Sequence, residues 1–577
     1  MLDLVIRNGA LIDGTGGSRV HGDLGVKNGR VVAMGDVDES AQRTIDAEGR
    51  AVTPGFVDVH THLDAQLFWD PSASPSPLHG VTTAFAGNCG FTLAPLTPDV
   101  LPYLITMLSR VEGMPLESLQ KGVPADWSTT AEYMDRLDGN IAINAGFMVG
   151  HSAIRRVVMG EAANQRASTP AELEAMKAFL RAGLQAGSIG FSTTTSNSHS
   201  DADGRPVPSR FADKHEFIEL ARVVSEFPGT SLELLPKGAT DLGPFDDDVA
   251  ALLIEMSVAG KRPVNWNVIQ PTANTIDTWR QKLAVADEAA KRGGKVVGLV
   301  MPIDMKARFS FHAGFVLDMF DGWAPIMALP VAEKIAVLRD KNMRHDLQMS
   351  AEGTRTMRHL SKWAELVIVE TFAPQNENYR GRKLGVIAPE MGMEPFDALV
   401  EIALVDELRT TFCRDTGTTS DADWAARMEI VRDKRALVGA SDTGAHLDMI
   451  AAFRYSTGFI QEAVRERSLL TLEEAVYHMT SAAAELYGLH DRGRLAVGAR
   501  ADILVMDEHN IGTETIGTRF DLPGGAGRLY AGATGIDHVF VNGTEVAQGG
   551  EYTGHLPGRV LRAGVDTQTP SMALRGG

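Results

Sequence analysis

Pro54-Gly55-Phe56-Val57-Asp58-Val59-His60-Thr61-His62-Leu63-Asp64 is the stretch whose reading decides the fold. Residues 51–59 form an apolar run that ends in His60, so the spacing predicts a buried strand with two histidines at its end. On a strand, side chains at i and i+2 share a face, and the two imidazoles therefore leave together. At the carboxyl end of a barrel strand that face opens onto the end where TIM barrels do their chemistry. His-x-His by itself also spells two polar loop histidines. The buried strand directly before it favours a metal site.

Working outward, strands alternate with helical patterns over some 400 residues. Strand-like runs recur at 80–87, 141–149, 187–191, 263–269, 295–301 and 436–441. Thr169-Pro170 opens a helix over 171–186, and further helices are expected over 471–479 and 481–489. The alternation favours a parallel barrel or an open doubly wound sheet. No GxGxxG follows the first strand and no GxxxxGK[ST] occurs, which removes weight from nucleotide-binding versions. Residues from about 305 to 425 fit the alternation poorly and read as an insertion over one face. The two ends are β-rich. Asn8-Gly9, Asn28-Gly29 and Asn542-Gly543 each lie between short apolar runs and are expected to be hairpin turns. Segments 1–53 and 492–560 would then complete one small β-sandwich around a barrel over 54–491, with a polar tail over 561–577 whose last dozen residues are expected to fray.

Composition sets the outer limits. With 577 residues, 44% hydrophobic and 22% charged, the chain is a globular protein large enough for a barrel with additions. Its net charge of −19 argues against a nucleic-acid partner, which needs a cationic footprint. Two cysteines exclude a disulfide scaffold and suit a reducing compartment. The N-terminus has no basic region ahead of an apolar core, and no apolar run reaches the ~18–20 residues of a spanning helix. A cytoplasmic protein without a membrane partner is expected. Nothing in the sequence identifies a face for self-association, so the oligomeric state, a homo-oligomer included, stays open.

Three further residues could do chemistry beside His60 and His62. Cys89 sits in Gly87-Asn-Cys-Gly-Phe91, just past the second strand, and as a thiolate could bind zinc. Free cysteines are most often small buried hydrophobes, but the flanking glycines are expected to leave this sulfur accessible. Cys413 has no such setting and reads as core. Asp442, in Gly439-Ala-Ser-Asp-Thr-Gly-Ala-His446, follows the last barrel-like strand. A carboxylate there could bind a metal and carry a proton from water to a leaving nitrogen; an N-cap aspartate is the plainer alternative. His446 has a weaker claim.

Together these pieces resemble the amidohydrolase superfamily, in its N-acyl-D-amino-acid deacylase branch. The resemblance runs in order through LVIRNGALIDGTG, VTPGFVDVHTHLD, GNCGF, VGHSAIRR, AGSIGFST, GASDTGAH and LAVGARADILVMD, and so spans nearly the whole chain. It implies an α/β chain built as a (β/α)8 TIM-type barrel flanked by a β-sandwich from both termini. It also implies zinc, and hydrolysis of an amide on a small N-acylated substrate. His60, His62 and Cys89 carry over as metal-site residues, and Asp442 as the acid/base and a metal ligand. The resemblance further implies two histidines from the middle strands. The matching stretches, Ser231-Leu-Glu-Leu-Leu-Pro-Lys237 and Pro263-Val-Asn-Trp-Asn-Val-Ile269, contain none. Glu233 could serve as an oxygen ligand, whereas Asn265 and Asn267 are poor zinc donors. His199 is the best replacement among the other histidines, with His151, His215, His312, His345 and His359 less suitable. The expected centre therefore holds one divalent ion, zinc or another metal, near His60, His62 and Asp442, with Cys89 beside it.

Arg454 lies at about the distance from Asp442 at which the family places an arginine for a substrate carboxylate, and an ordinary surface arginine reads the same. Lys237 and His446 are similar candidates. Three functions follow: a metal-dependent amidohydrolase acting on a small N-acyl amino acid, of D configuration if the resemblance holds; a hydrolase of a cyclic amide, lactone or ester on the same barrel; or a non-catalytic ligand-binding barrel.

Overall fold

The computed structural model describes residues 1–312, 315–354, 360–414 and 419–574. Eight parallel strands form one curled sheet in chain order: Phe56–Asp58, Val81–Ala86, Asn144–Gly150, Gly190–Thr194, Ser231–Leu235, Val264–Ile269, Val296–Val300 and Ala436–Val438. The last strand meets the first through a parallel bridge between Thr61 and Thr443. At that seam the Asp442 N–H donates to the His60 carbonyl at 3.1 Å, and the His62 N–H to the Thr443 carbonyl at 2.7 Å. The chain is therefore an α/β barrel of the TIM type, and its seam runs through the residues singled out above.

Period-2 alternation explains the two faces of the sheet. Phe56, Leu232, Leu234, Val264, Trp266 and Val300 pack outward with the surrounding helices. Val57, Phe85, Met148, Ile189, Val297 and Leu437 pack together on the other face. Tyr487, from the helix Ser481–Tyr487, joins that inner cluster. Its ring stacks on Phe85 with centroids 3.8 Å apart, and its hydroxyl donates to the Val59 carbonyl at 3.0 Å.

The apolar run over 51–59 is not one strand. Ala51–Pro54 belongs to the terminal sheet and Phe56–Asp58 to the barrel. Gly55 makes the change possible, because a Cβ there would lie 2.1 Å from Thr82 Oγ1. The terminal sheet has nine strands drawn from both ends of the chain, joined where Ala51–Pro54 pairs with Ile503–Met506. Leu4, Ile6, Leu24, Val26, Ile503 and Phe540 supply its core. Asn28-Gly29 and Asn542-Gly543 do turn hairpins. Asn8-Gly9 does not: Leu2–Leu11 is one strand with an irregularity between Ile6 and Gly9. Asn8 takes a left-handed φ of 55° and its N–H bonds Asp23 Oδ1 at 3.0 Å, so the positive φ makes a bulge rather than a turn.

The region of about 305–425 has an aromatic core of its own, built on Phe311, Trp323, Trp363, Phe396 and Phe412. It includes the helices Val331–Arg339, Lys341–Gly353, Leu384–Met391 and Pro395–Val405 and a two-stranded sheet. The region is seated on the Asp442 side of the barrel, where the Arg308 N–H donates to the Met449 carbonyl at 2.9 Å. Cys413 lies on the strand Thr411–Arg414 and is half-buried, not core. His359 falls outside the described residues. The tail does not fray where it is described. Thr567 is buried and its hydroxyl donates to the Gly229 carbonyl at 2.6 Å, because the chain returns across the strand entrances. No helix among the described residues is long and apolar enough to cross a membrane.

Candidate metal centre

The seam brings three of the candidates together. Asp442 adopts a left-handed φ of 53°, a conformation that aspartate tolerates better than most residues. Its Oδ1 lies 3.2 Å from His60 Nε2 and 3.5 Å from His62 Nε2. The two imidazoles are buried, with ring centroids 5.4 Å apart and planes at 72°. Burial alone would raise the Asp442 carboxyl, but hydrogen bonds from His60 and His62, with their charge, hold it well below the usual range. Burial lowers His62, yet Glu112 and Asp442 more than offset this and push it up to about 9. His60 moves the other way, because burial outweighs Asp442.

Cys89 completes the group. One ligand atom each from His60, His62 and Cys89 lies within 4.8 Å of the others, and Cys89 Sγ is 3.7 Å from His60 Nε2. The loop that presents it is held from three directions. Asn88 Nδ2 donates to the Thr61 and Phe85 carbonyls at 3.0 Å each. The Cys89 N–H donates to Glu233 Oε2 at 2.8 Å, and the Gly90 N–H to Ser192 Oγ at 3.0 Å. The glycines do not expose the sulfur: Cys89 is only 3% accessible. Gly90, at φ +78°, instead lets the loop approach the barrel wall, where a Cβ would lie 3.0 Å from Thr193 Cα. Burial first, then Glu233, Glu112 and Asp442, push the thiol well above its ordinary value.

Across the mouth the side chains differ in kind. Leu232 and Leu234 point to the outer core, so Glu233 points inward; Asn265 and Asn267 flank the outward Trp266 in the same way. Asn267 Nδ2 lies 3.2 Å from His60 Nε2, and Asn265 Nδ2 donates to the Leu232 carbonyl at 3.1 Å. Burial pushes the Glu233 carboxyl up to about 8, although the Cys89 N–H pulls it back. Glu233 Oε1 and the Oδ1 atoms of Asn265 and Asn267 are buried without a hydrogen-bond partner in the protein.

The remaining candidates divide. His199 is half-buried beside Phe91, ring centroids 5.0 Å apart, and burial with the charges of His62 and His446 pushes it down to about 3. His446 is tied by its N–H to the Glu112 carbonyl at 2.5 Å and is pushed down to about 4 by burial. Arg454 is engaged elsewhere: Nη1 bonds Glu462 Oε1 and Nη2 the Asp304 carbonyl, both at 3.1 Å. Lys237 is exposed and faces Asp246 at 3.5 Å. His151 opens the helix His151–Met159, and its Nε2 pairs with buried Glu216 at 2.7 Å. It does not join the cluster.

Sequence reasoning missed Glu112. It closes the helix Leu101–Val111, is buried, and lies 3.4 Å from His62 Nδ1. Burial raises its carboxyl to about 7, against the pull of His62. A signal was present: the negative end of a helix dipole disfavours an acidic residue, so an acid there calls for a cationic partner.

The model of the amidohydrolase family matches residues 43–523. An N-acyl-D-aspartate deacylase from Alcaligenes xylosoxydans xylosoxydans is 29% identical over 567 residues, covering 97% of this chain and 95% of that protein. The crystal structure of an N-acyl-D-glutamate deacylase from Bordetella bronchiseptica, complexed with zinc and a phosphonate inhibitor, superposes with a TM-score of 0.64 at 25% identity. That match covers 97% of this chain and 100% of the other. A D-aminoacylase crystal structure shares the fold at a TM-score of 0.65 and 24% identity, over 97% of this chain and 100% of its own. The chain belongs to the amidohydrolase family, and the relatives it resembles over nearly its whole length include N-acyl-D-amino-acid deacylases.

Proposed function

We propose that this protein hydrolyses the amide of a small N-acyl-D-amino acid, with one zinc ion held by His60, His62, Asp442 and Cys89. The observation that carries the reading is the convergence of two histidine Nε2 atoms on Asp442 Oδ1, at 3.2 and 3.5 Å, beside the Cys89 thiol. Two imidazoles, a carboxylate and a thiol are the donor types zinc takes. The far side of the mouth does not fit a second zinc. Its amides are poor donors, and Glu233, with Oε2 on the Cys89 N–H, is a single carboxyl group without an imidazole beside it among the described residues.

When bound, the ion lowers the pKa of water and polarises a carbonyl. Asp442 supplies the proton relay. Held as a carboxylate, it accepts a proton from the attacking water as the C–O bond forms, then returns it to nitrogen as the C–N bond breaks. The products are a carboxylic acid and a free amine. Asp442 also lines a crevice with Gln66, Ser74, Leu447, Phe453 and Arg528, where the substrate would sit. His199 and His446, both neutral by direction of shift, lie near enough to His62 and Asp442 to feel their charges. Arg454 would exchange Glu462 for a substrate carboxylate. Two free cysteines suit a reducing, cytoplasmic setting.

The test is zinc per chain in protein purified without chelator, followed by N-acetyl-D- and L-amino acids assayed beside hydantoins, lactones and esters. About one zinc and a preference for D amides are expected, with Asp442→Asn lowering kcat by ~10²–10⁴. Turnover of cyclic amides or esters alone moves the reading to that class. A chain without zinc or turnover is a ligand-binding barrel.

A further inference from the structure

We infer that Glu112 is a positioning residue of the metal centre, holding the proton of His62 on Nδ1 so that Nε2 is the nitrogen offered to the ion. The inference rests on the metal reading above. A neutral imidazole has one N–H and one lone pair. In His62 the nitrogen that faces Asp442 is Nε2, at 3.5 Å, and the one that faces Glu112 Oε1 is Nδ1, at 3.4 Å. That second separation is an ion-pair distance rather than a formed hydrogen bond, and among the described residues Nδ1 has no hydrogen-bond partner. With the proton on Nε2, the lone pair would point at a carboxylate and the centre would lose a ligand. Metal-binding histidines commonly hand their other N–H to a carboxylate or carbonyl for this reason.

The placement of Glu112 is costly in two ways unless it serves such a purpose. It is 2% exposed, and an uncompensated buried carboxylate is expensive. It also stands at the C-cap of Leu101–Val111, where its own N–H bonds the Leu108 carbonyl at 2.9 Å and the helix dipole repels negative charge. The imidazole, with a cation behind it, offsets both. The helix end is fixed on either side. The Glu112 carbonyl accepts the His446 N–H from the Asp442 loop, and Arg110 forms an ion pair with Asp318 of the inserted region. One residue thus ties the first-strand histidine to the last-strand loop.

The experiment measures zinc affinity of the full-length chain by competition with a chromophoric chelator. It compares wild type, Glu112→Gln, which keeps an acceptor oxygen, and Glu112→Leu, which fills similar volume without one. A loss of about 10–100-fold is expected in Glu112→Leu, with Glu112→Gln recovering most of it. In the zinc-loaded wild type, where the ring is neutral, ¹⁵N-edited spectra of labelled histidines should show His62 protonated on Nδ1. Equal affinity in wild type and Glu112→Leu overturns the inference, and so does an equal loss in both variants, which would assign the effect to charge or packing. If Glu112→Leu does not fold, the wild-type spectrum decides, and a proton on Nε2 overturns the assignment. A wild type that binds no zinc overturns the metal reading itself, whereas a zinc-binding wild type with an indifferent Glu112→Leu overturns only this inference.

Discussion

On the seam side of the barrel mouth, His60, His62 and Asp442 turn their polar atoms toward one another and keep them uncommitted to the backbone. On the far side, Glu233 Oε2 holds the Cys89 N–H and Asn265 Nδ2 the Leu232 carbonyl, which leaves one carboxyl oxygen and the amide oxygens of Asn265 and Asn267 facing the mouth. Both sides are built from inward residues at or just past strand ends, and all of them are buried but Asp442, which is half-buried. What separates them is the donor set: two imidazoles and a carboxylate converge on the seam side, whereas the far side offers amide oxygens and one carboxyl group. Polar character at the mouth of a barrel therefore does not by itself suit a transition metal; converging donors of the right type do.

The largest effect should come from removing the seam donors. His60→Ala/His62→Ala is expected to lose zinc and about a thousandfold or more of kcat/KM, roughly 4 kcal/mol of transition-state stabilisation. Asn267→Ala should keep the zinc. Equal metal loss in the two proteins, read by elemental analysis, would break the contrast between the sides.

A subtler effect follows from the Glu233 carboxyl, pushed up to about 8 from an ordinary value of 4.5. Between those values the folded chain holds a proton that the unfolded chain has lost. The stability this contributes is fully present below pH 4.5 and is lost as pH rises toward 8. Glu233→Gln cannot titrate, so its zinc-free Tm should fall less than that of wild type between pH 5 and 8. Identical slopes would mean that Glu233 is ionised and belongs with the seam side.

The smallest effect concerns the rim. Because Arg454 already has Glu462 as a partner, Arg454→Ala should raise KM for a carboxylate substrate by about tenfold or less and leave kcat alone. An unchanged KM would remove Arg454 from recognition.

Much of this centre was legible in the sequence for local reasons. His-x-His after a buried run, Cys89 between glycines and Asp442 after the last strand each carry their signal within a few residues. Asn28-Gly29 and Asn542-Gly543 were legible in the same way. Asn8-Gly9 was not, because a left-handed asparagine serves a bulge as well as a turn, and the Asp23 contact that chooses between them comes from another strand. The split at Gly55 was hidden too, since an apolar run reads alike whether it belongs to one sheet or two.

The sequence by itself determined the alternation of strands and helices, hence a parallel barrel or an open doubly wound sheet, and which residue types stand at the strand ends. These depend on periodicity and on neighbours in the chain. Only the tertiary structure decided which of those residues meet. Asp442 reaches His60 because the last strand closes on the first, Glu233 meets the Cys89 N–H because the Cys89 loop folds over its strand, and Glu112 enters because a helix ends against His62. Contacts between residues tens to hundreds of positions apart are set by how the sheet closes and how the helices pack on it, and no local spacing encodes them.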